Sequence, residues 1–249
     1  IFCDIYDKTF NINPEGLSSA FELAVSKNLK PKAIMPVDLF GLPARYRLIE
    51  KFAKNNDLMI IEDAAQGFGG KINEQRSGSF GDVAATSFFP AKPLGCYGDG
   101  GAIFTNNDAL ASKMRSIRVH GGGKDKYENL RIGINGRLDT IQAAVILEKL
   151  EIFDKELISR NNAAKYYTQN INKKFIPPYI PSKYLSSWAQ YSILIPDHIK
   201  RGDVIKKFSD DGIPSMVYYK IPVHLQEGYK KYGYNPGDFP VSEDTSKKY

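Results

Sequence analysis

Residues 59–106 read MIIEDAAQGFGGKINEQRSGSFGDVAATSFFPAKPLGCYGDGGAIFTN, and this stretch decides the fold. It begins with a short apolar run that stops at Glu62 and Asp63. A second strand-like run, residues 83–89, stops at a Pro-Ala-Lys sequence, and a glycine-rich turn precedes a third run at residues 102–105. Short apolar runs bounded by such breaks are typical of the buried strands of an α/β sheet.

Four polar side chains stand where these predicted strands end, namely Asp63, Gln66, Ser87 and Lys92. In α/β sheets ligands gather at the carboxyl ends of the strands, so we expect these side chains to lie close together. A carboxylate, an amide, a hydroxyl and an amine suit a cofactor that needs a covalent amine, a partner for a ring nitrogen and an anchor for a phosphate.

The composition limits the class of protein. A chain of 249 residues with 42% hydrophobic and 25% charged residues indicates a globular α/β protein of one or two domains. Because no apolar run approaches the ~20 residues of a membrane helix, we expect no membrane association. Two cysteines, Cys3 and Cys96, provide no disulfide framework and favour the reducing cytoplasm. The net charge of +6 comes from scattered lysines, which predicts no nucleic-acid role.

The rest of the chain alternates short strands with helices, which indicates a mainly parallel sheet with covered faces. We predict strands at residues 1–6, 32–37, 188–196 and 214–220, and helices at 13–27, 45–55, 109–119, 137–170 and 201–211. The long helix is expected to link a large domain, residues 1–157, to a smaller one, residues 158–249. Residues 1–6 read as a strand already under way, so we expect the chain to be a piece of a longer protein.

Four motifs together resemble a known family. They are EDAAQ (62–66), SFFPAKPLG (87–95), GDGGAIFT (98–105) and GINGRLDTIQAA (133–144). In this order they resemble the DegT/DnrJ/EryC1/StrS sugar aminotransferases. The resemblance implies the aspartate-aminotransferase-like α/β fold (PLP fold type I), with a mainly parallel large domain and a smaller C-terminal α+β domain. It also implies pyridoxal 5′-phosphate (PLP) as cofactor, no metal, and a missing N-terminal portion that would help to hold PLP.

Lys92 is the expected catalytic residue. A lysine amine forms a Schiff base with an aldehyde, and burial favours its reactive neutral form. The alternative is a surface lysine at a strand end. In the family that the chain resembles, some members carry histidine here and act as dehydrases, so lysine favours transamination. Because Gly98, Gly100 and Gly101 precede a strand instead of a helix, we interpret them as backbone freedom beside Lys92 and not as a phosphate cradle.

The resemblance also implies cofactor contacts for three further side chains. Asp63 would pair with the pyridine nitrogen and keep it protonated, which makes the ring a better electron sink. The alternative for Asp63 is a cap for the segment that follows. Gln66 would lie near the ring and its phenolic oxygen, or be a surface or capping amide. Ser87 would donate a hydrogen bond to the phosphate, or be a buried strand serine. Glu62 points the other way along its strand, and we interpret it as structural.

Three residues nearer the C-terminus complete the expected site. By the resemblance, Asn135 reaches across the interface of a homodimer with shared active sites to the partner's cofactor phosphate. Arg137 would meet an acidic substrate group, because a guanidinium suits carboxylates and phosphates; a surface ion pair is the alternative. His224 would line the sugar pocket, or lie at the surface.

The predicted function is that of a PLP-dependent aminotransferase. It moves the amino group of glutamate to a keto nucleotide-sugar for surface polysaccharide (lipopolysaccharide) biosynthesis. Residues 87–105 are closest to the branch of the family that aminates a 3-keto uronic acid sugar on a uridine diphosphate (UDP) carrier.

Several competing classes can be weighed against this prediction. A hydrolase is excluded, because the chain has no G-x-S-x-G nucleophile elbow. An NAD-dependent dehydrogenase lacks the G-x-G-x-x-G that joins a strand to a helix, although a missing N-terminal portion could hold one. A PLP-dependent sugar dehydrase and a non-catalytic PLP-binding scaffold or regulator stay open.

Overall fold

The structure is a computed structural model that describes residues 1–125 and 127–248. Its strands are β1 (Ala33–Ile34), β2 (Met59–Asp63), β3 (Lys71–Ile72), β4 (Gln75–Arg76), β5 (Val83–Ser87), β6 (Gly101–Phe104) and β7 (Tyr184–Leu185). The central sheet has the order β1-β2-β5-β6. Strand β2 pairs in parallel with β1 and β5, whereas β6 runs antiparallel to β5. The expected mainly parallel sheet is therefore present, with one antiparallel edge.

Strand β2 sets the register of the site. Its side chains alternate between the two faces of the sheet, with Ile60 and Glu62 buried on the core face. Asp63 lies opposite Ala85 of β5. Because the two strands run in the same direction, Asp63 and Ser87 come to the same edge of the sheet, at the carboxyl ends of their strands.

The helices cover the sheet and connect its strands. They are α1 (Leu17–Ser26), α2 (Tyr46–Asn55), α3 (Asp108–Arg118), α4 (Thr140–Asn170), α5 (Arg201–Asp210) and α6 (Pro240–Lys248), with 3-10 turns at Pro14–Gly16, Leu39–Gly41, Val223–Leu225 and Glu227–Tyr232. Asn13 caps the first of these turns, because its side chain accepts the Glu15 N–H at 3.2 Å. Helix α4 begins at Thr140 and not at residue 137, since Asp139 has an extended backbone.

A second, three-stranded sheet has the order β4-β3-β7. It pairs the hairpin at Lys71–Ile72 and Gln75–Arg76 with Tyr184–Leu185, in antiparallel register. The chain that leaves α4 therefore returns to the first half of the fold. Helix α4 runs unbroken through residue 157, and the domain boundary expected there stays a prediction.

Three of the predicted strands are wrong. Residues 1–6 form only an isolated bridge from Ile5 to Ile12, and residues 188–196 only a bridge from Leu194 to Ile176. The described chain has no strand within residues 214–220. Aromatic and β-branched residues favour strands only where a partner strand is available, and in the described chain each of these segments pairs at one residue at most.

The predicted strand at residues 32–37 is shorter than expected. Strand β1 ends at Ile34, and Val37 forms only an isolated bridge with Asp63. Pro36 lies between them, and proline has no N–H to donate to a ladder. The segment still delivers Asp38 to the carboxyl edge of the sheet, since the Asp38 N–H donates to the Asp63 carbonyl at 3.0 Å.

Two apolar clusters form the core. The first joins α2 to the sheet through Tyr46, Ile49, Ile60 and Phe80, and the Tyr46 and Phe80 rings stack with centroids 4.1 Å apart. The second holds the segment after β5 against α4, through Phe88, Leu94, Cys96, Ile146, Phe153 and Leu157. Within the described residues, no helix is long and apolar enough to span a bilayer.

Two carboxyl groups lie buried behind β2. Asp38 and Glu62 are fully buried and hydrogen-bond to each other. Asp38 also accepts hydrogen bonds from the Ala44 N–H (2.9 Å), the Tyr46 hydroxyl (2.9 Å) and the Ser77 hydroxyl (2.6 Å). Glu62 accepts the backbone N–H groups of Gly78 (2.6 Å) and Phe80 (2.8 Å), which agrees with its predicted structural role.

The two acids hold one proton between them at neutral pH. Burial away from water raises the pKa of Asp38 to about 6 and the pKa of Glu62 to about 9. Three donors other than Glu62 stabilise the charged form of Asp38. Glu62 therefore keeps the proton and donates it to Asp38.

The raised pKa of Glu62 predicts that stability falls with pH. An acid whose pKa is higher in the folded state keeps a proton that the unfolded chain releases, so folding is favoured most at low pH. That advantage is lost as pH rises toward the folded pKa, by up to about 1.4 kcal/mol per pH unit. Glu62→Gln cannot titrate, and urea unfolding between about pH 6 and pH 9 should show a shallower loss than in the wild type.

Glu74→Gln is the matched control, because the Glu74 side chain is 95% exposed and pairs with the neighbouring Lys71 at 3.5 Å. This control should keep the wild-type slope. Equal slopes for the wild type and Glu62→Gln would show that Glu62 does not hold the proton.

Candidate functional site

The site begins with Asp63 and Ser87 at the shared carboxyl edge of β2 and β5. Both are half-buried. One oxygen of Asp63 accepts the Ala65 N–H at 3.0 Å, so this carboxylate does cap the segment that follows. A carboxylate has about four acceptor sites, and this contact leaves Asp63 able to bind a protonated ring nitrogen. The Ser87 hydroxyl accepts the Phe89 N–H at 3.2 Å, which leaves its own proton for a ligand.

Gln66 lies just beyond Asp63 and is buried, so its alternative reading as a surface amide is wrong. Its Oε1 accepts the backbone N–H of Phe40 at 2.6 Å. Because a backbone N–H can only donate, the amide oxygen must face Phe40 and the NH2 group must face the other way. There Nε2 donates to the hydroxyl of Tyr219 at 3.3 Å. The fold therefore presents Gln66 to its surroundings as a hydrogen-bond donor.

Ser187 fixes the backbone of Gln66 from behind. Its hydroxyl donates to the Gln66 carbonyl at 2.6 Å, and its N–H donates to the Gly41 carbonyl at 2.9 Å. Ser187 is fully buried. A substituent on Gly41 would approach the Ser187 hydroxyl to 2.4 Å, so only glycine fits at this crossing.

Lys92 lies in the segment between β5 and β6. The turn that carries it is closed by its own N–H, which donates to the Phe89 carbonyl at 2.9 Å. The side chain is half-buried. In residues 1–125 and 127–248 its amine makes no hydrogen bond or ion pair, so it is free to react. Gly101 approaches the Thr86 carbonyl, which a Cβ would meet at 2.6 Å; close approach, and not the predicted freedom, requires glycine there.

Asn135 and Arg137 lie in the segment between α3 and α4. Both are exposed, and the Arg137 Nε donates to the Asn135 Oδ1 at 3.0 Å. The backbone is anchored to the end of α3, where the Gly136 N–H donates to the Arg118 carbonyl at 2.8 Å. Within the described chain Arg137 forms no ion pair, so the alternative of a surface ion pair is not what the structure shows. Neither side chain makes a hydrogen bond to Asp63, Gln66, Ser87 or Lys92 within the described residues.

His224 is buried, so its alternative reading as a surface residue is wrong. Its Nε2 lies 3.1 Å from Glu243 Oε1, and its ring meets the edge of Phe239 at a centroid distance of 4.7 Å. These contacts tie His224 to α6. Its role in a sugar pocket stays a prediction.

Sequence reasoning missed Phe40, Ser187 and Tyr219. Phe40 acts through its backbone, which no side-chain pattern reveals. Ser187 lies next to the predicted strand at residues 188–196 and Tyr219 within the one at residues 214–220, and neither segment is a strand. The sequence indicated only the turn at Leu39–Gly41, because Phe40 is followed by a glycine. In the structure Gly41 has a φ of 101°.

The four groups at the sheet edge fit the PLP that the sequence implies. The free amine of Lys92 suits an aldehyde, the Asp63 carboxylate a ring nitrogen, the Gln66 NH2 a ring oxygen and the Ser87 hydroxyl a phosphate. Across the described part of the chain, no group of three or more metal-ligating side chains could hold a metal ion.

The chain is similar to two named proteins. It is 41% identical over 227 residues to the UDP-2-acetamido-2-deoxy-3-oxo-D-glucuronate aminotransferase of Pseudomonas aeruginosa. The aligned region covers 91% of this chain and 60% of that protein. It is 40% identical over 253 residues to the pleiotropic regulatory protein of Geobacillus stearothermophilus, which covers 100% of this chain and 65% of that protein. The chain thus spans less than two thirds of the length of these relatives.

The fold is similar to that of a DegT DnrJ EryC1 StrS aminotransferase from Brucella abortus. The TM-score is 0.95 at 48% identity, over 100% of this chain and 66% of that one. The expected PLP type I fold is confirmed by this likeness. The model of the DegT/DnrJ/EryC1/StrS aminotransferase family matches residues 1–249, and the chain therefore belongs to this family.

Proposed function

We propose that this protein is a PLP-dependent aminotransferase that moves the amino group of glutamate to a keto nucleotide-sugar. The observation that carries the proposal is the free amine of Lys92, beside a sheet edge that also presents Asp63, Gln66 and Ser87. The family to which the chain belongs is PLP-dependent. The named enzyme from Pseudomonas aeruginosa acts on a UDP-linked 3-oxo sugar, which supports the substrate class.

Each side chain has one task in this proposal. When bound, PLP supplies an aldehyde and an electron sink for the transfer of the amino group. Lys92 would hold the cofactor at rest, and its amine, once released, would move a proton between a carbon of the amino donor and a carbon of the cofactor. Asp63 keeps the ring nitrogen protonated, and Ser87 binds the phosphate. Gln66 donates from its NH2 group to the ring oxygen, because Phe40 occupies its other end.

A sugar dehydrase and a non-catalytic regulator are the two alternatives to an aminotransferase. Lysine at position 92 disfavours a dehydrase, since histidine stands there in the relatives that dehydrate sugars. A regulator that binds PLP without turnover is favoured by one observation, the name of the relative from Geobacillus stearothermophilus. Release of 2-oxoglutarate from glutamate, measured with a panel of keto-sugar nucleotides, separates an enzyme from such a regulator.

Lys92→Ala should abolish covalent attachment of PLP and turnover together. After incubation with PLP and reduction by borohydride, mass spectrometry should find the label on the wild-type peptide that contains Lys92 and none on the variant. Turnover should fall at least about a thousand-fold, because no other amine replaces Lys92. Lys155→Ala, an exposed lysine on α4, is the control and should behave as the wild type. A labelled Lys92→Ala protein would end the assignment.

We propose further that the active unit is a homodimer with shared sites. Asn135 is exposed, and within the described residues its side chain makes no hydrogen bond to the four groups of its own chain; its Oδ1 accepts from Arg137 instead. An exposed side chain of this kind is available to a partner chain. The family resemblance assigns it to the partner's cofactor phosphate.

Hybrid dimers test this sharing. A Lys92→Ala chain and an Asn135→Ala chain are each expected to be inactive. After subunit exchange, hybrids carry one site in which both residues are wild type, and about a quarter of the wild-type activity per subunit should return. Exchange proved by mass spectrometry without any recovery would mean that Asn135 does not act in trans.

The substrate is proposed to be a 3-keto uronic acid sugar on UDP. Arg137 supports this, because its guanidinium has an exposed face and forms no ion pair in residues 1–125 and 127–248. Arginine binds a carboxylate with two parallel hydrogen bonds. The sugar carboxylate would provide that partner. Since Arg137 lies two residues after Asn135, it would reach the same active site of the neighbouring chain.

Arg137→Ala should therefore harm a uronate substrate more than the matching neutral keto-sugar. Loss of a charge-assisted pair costs about 1.5–3 kcal/mol, or about ten- to a hundred-fold in kcat/KM. Arg115→Ala, which removes an exposed arginine from α3, should change neither substrate. Equal losses on both sugars would assign Arg137 a structural role. A wild-type preference for the neutral sugar would overturn the uronate while leaving the aminotransferase in place.

A further inference from the structure

The segment that carries Lys92 is held from one side by α4. We call residues 88–97, between β5 and β6, the lysine loop. Its internal turn joins the Lys92 N–H to the Phe89 carbonyl. The carbonyls of Pro93 and Gly95 bind partners outside the loop, on the helix.

Three side chains of α4 bind the backbone of alternate residues in the second half of the lysine loop. Arg160 Nη2 donates to the Pro93 carbonyl at 3.0 Å, Lys149 Nζ donates to the Gly95 carbonyl at 2.5 Å, and Gln142 Oε1 accepts the Tyr97 N–H at 2.8 Å. The helix therefore fixes the loop at three points, all of them after Lys92.

The spacing along α4 explains how one helix reaches all three points. Residue 149 lies 7 positions after residue 142, and residue 160 lies 11 positions after residue 149. At 3.6 residues per turn these intervals are close to two and three whole turns, so the three side chains share one face. Ile146, Phe153 and Leu157 lie on the same side and pack against Leu94 and Cys96 of the loop.

Burial makes the two cationic contacts necessary. Pro93, Leu94, Gly95 and Cys96 are all buried. A buried carbonyl without a donor costs free energy comparable to a lost hydrogen bond. Ionised donors form the stronger hydrogen bonds, and the stems of lysine and arginine can run along the apolar surface to reach such groups.

Pro93 connects this clamp to the reactive amine. It is the next residue after Lys92, and its ring locks its own φ angle. Arg160 holds the Pro93 carbonyl, so the backbone is fixed directly after the Lys92 Cα. On the other side of Lys92, β5 is fixed in the sheet. The amine must meet a single atom of the cofactor, and a misplacement of about 1 Å can cost about a hundred-fold in rate.

We propose that Lys149 and Arg160 are positioning residues, which clamp the lysine loop to α4 and so hold the Lys92 amine within reach of the cofactor aldehyde. The aldehyde oxygen would leave as water when the bond between its carbon and the Lys92 nitrogen forms. The proposal rests on the proposed role of Lys92. Lys149 and Arg160 touch neither cofactor nor substrate in this proposal. They act through the loop, by the two carbonyl contacts and, for Lys149, also by its Nζ lying 5.0 Å from the centre of the Tyr97 ring.

The first measurement needs no cofactor. Amide hydrogen exchange, followed by mass spectrometry on the PLP-free protein, should increase about ten-fold or more in the lysine loop of Lys149→Met and of Arg160→Met. Methionine keeps an unbranched apolar stem and removes the charged donor. Lys149→Arg should restore the wild-type exchange, since it keeps a cationic donor. Lys155→Met, an exposed position on the same helix, should leave exchange unchanged.

The second measurement separates positioning from cofactor binding. The rate of covalent attachment of PLP to Lys92, trapped by borohydride, should fall about ten- to a hundred-fold in Lys149→Met. Reversible binding of PLP, measured in the Lys92→Ala background, should be the same with and without Lys149→Met. A purely structural role would weaken both or neither.

The outcomes separate the clamp from the proposed function. A labelled wild type with an unchanged attachment rate in both Lys149→Met and Arg160→Met would overturn the clamp alone. An unlabelled wild type would overturn the role of Lys92, and with it this inference. If Lys149→Met does not fold, Arg160→Met and its conservative partner Arg160→Lys carry the same comparison. Failure of both conservative variants to restore the attachment rate would also count against positioning.

Discussion

The parallel pairing of β2 with β5 is the constraint on which the site depends. Two parallel strands end at the same edge, and their register decides which side chains meet there. Because Asp63 lies opposite Ala85, the two strands end at nearly the same level. The Asp63 carboxylate and the Ser87 hydroxyl therefore lie on neighbouring strand ends. A shift of one residue would turn Asp63 into the core and bring Glu62 to the other face. The chemistry at the edge therefore depends on hydrogen bonds between backbones.

The same strand also explains why a second acid is tolerated beside the first. Because side chains alternate along β2, Glu62 lies on the core face. There it hydrogen-bonds to Asp38 and to the backbone N–H groups of Gly78 and Phe80. Burying two carboxyl groups is unfavourable unless they share a proton and find donors. Asp38 finds its donors in Ala44 and Tyr46, at the start of α2, and in Ser77, just after β4. A polar network of this kind is fully hydrogen-bonded in one arrangement of the loops, and it therefore fixes the turn at Leu39–Gly41. Phe40 of that turn orients Gln66 through its backbone N–H.

Sequence patterns anticipated the parts of the site that are local. Apolar runs ending at Asp63 and before Lys92 located the strand ends, since a strand and its end lie in one short window. They could not reveal that Gln66 meets Tyr219 and Ser187, which lie 153 and 121 residues away. They also read residues 188–196 as a strand, although Trp188 has a φ of 52° and its indole N–H donates to Asn161 at 2.9 Å. Propensity reports what a segment favours, whereas the partners available in the fold decide what it does.

Helix α4 joins the two halves of the proposed chemistry. The segment with Asn135 and Arg137 leads directly into its first turn, and its later turns hold the lysine loop. A helix of 31 residues is about 46 Å long and behaves as a rigid element when one face is packed. If Asn135 serves a neighbouring site while Lys149 and Arg160 hold the amine of its own site, then one helix connects the partner's phosphate subsite to the local reactive amine. Movement of α4 would then disturb both sites of a dimer at once. The apolar contact between this helix and the lysine loop opposes such movement.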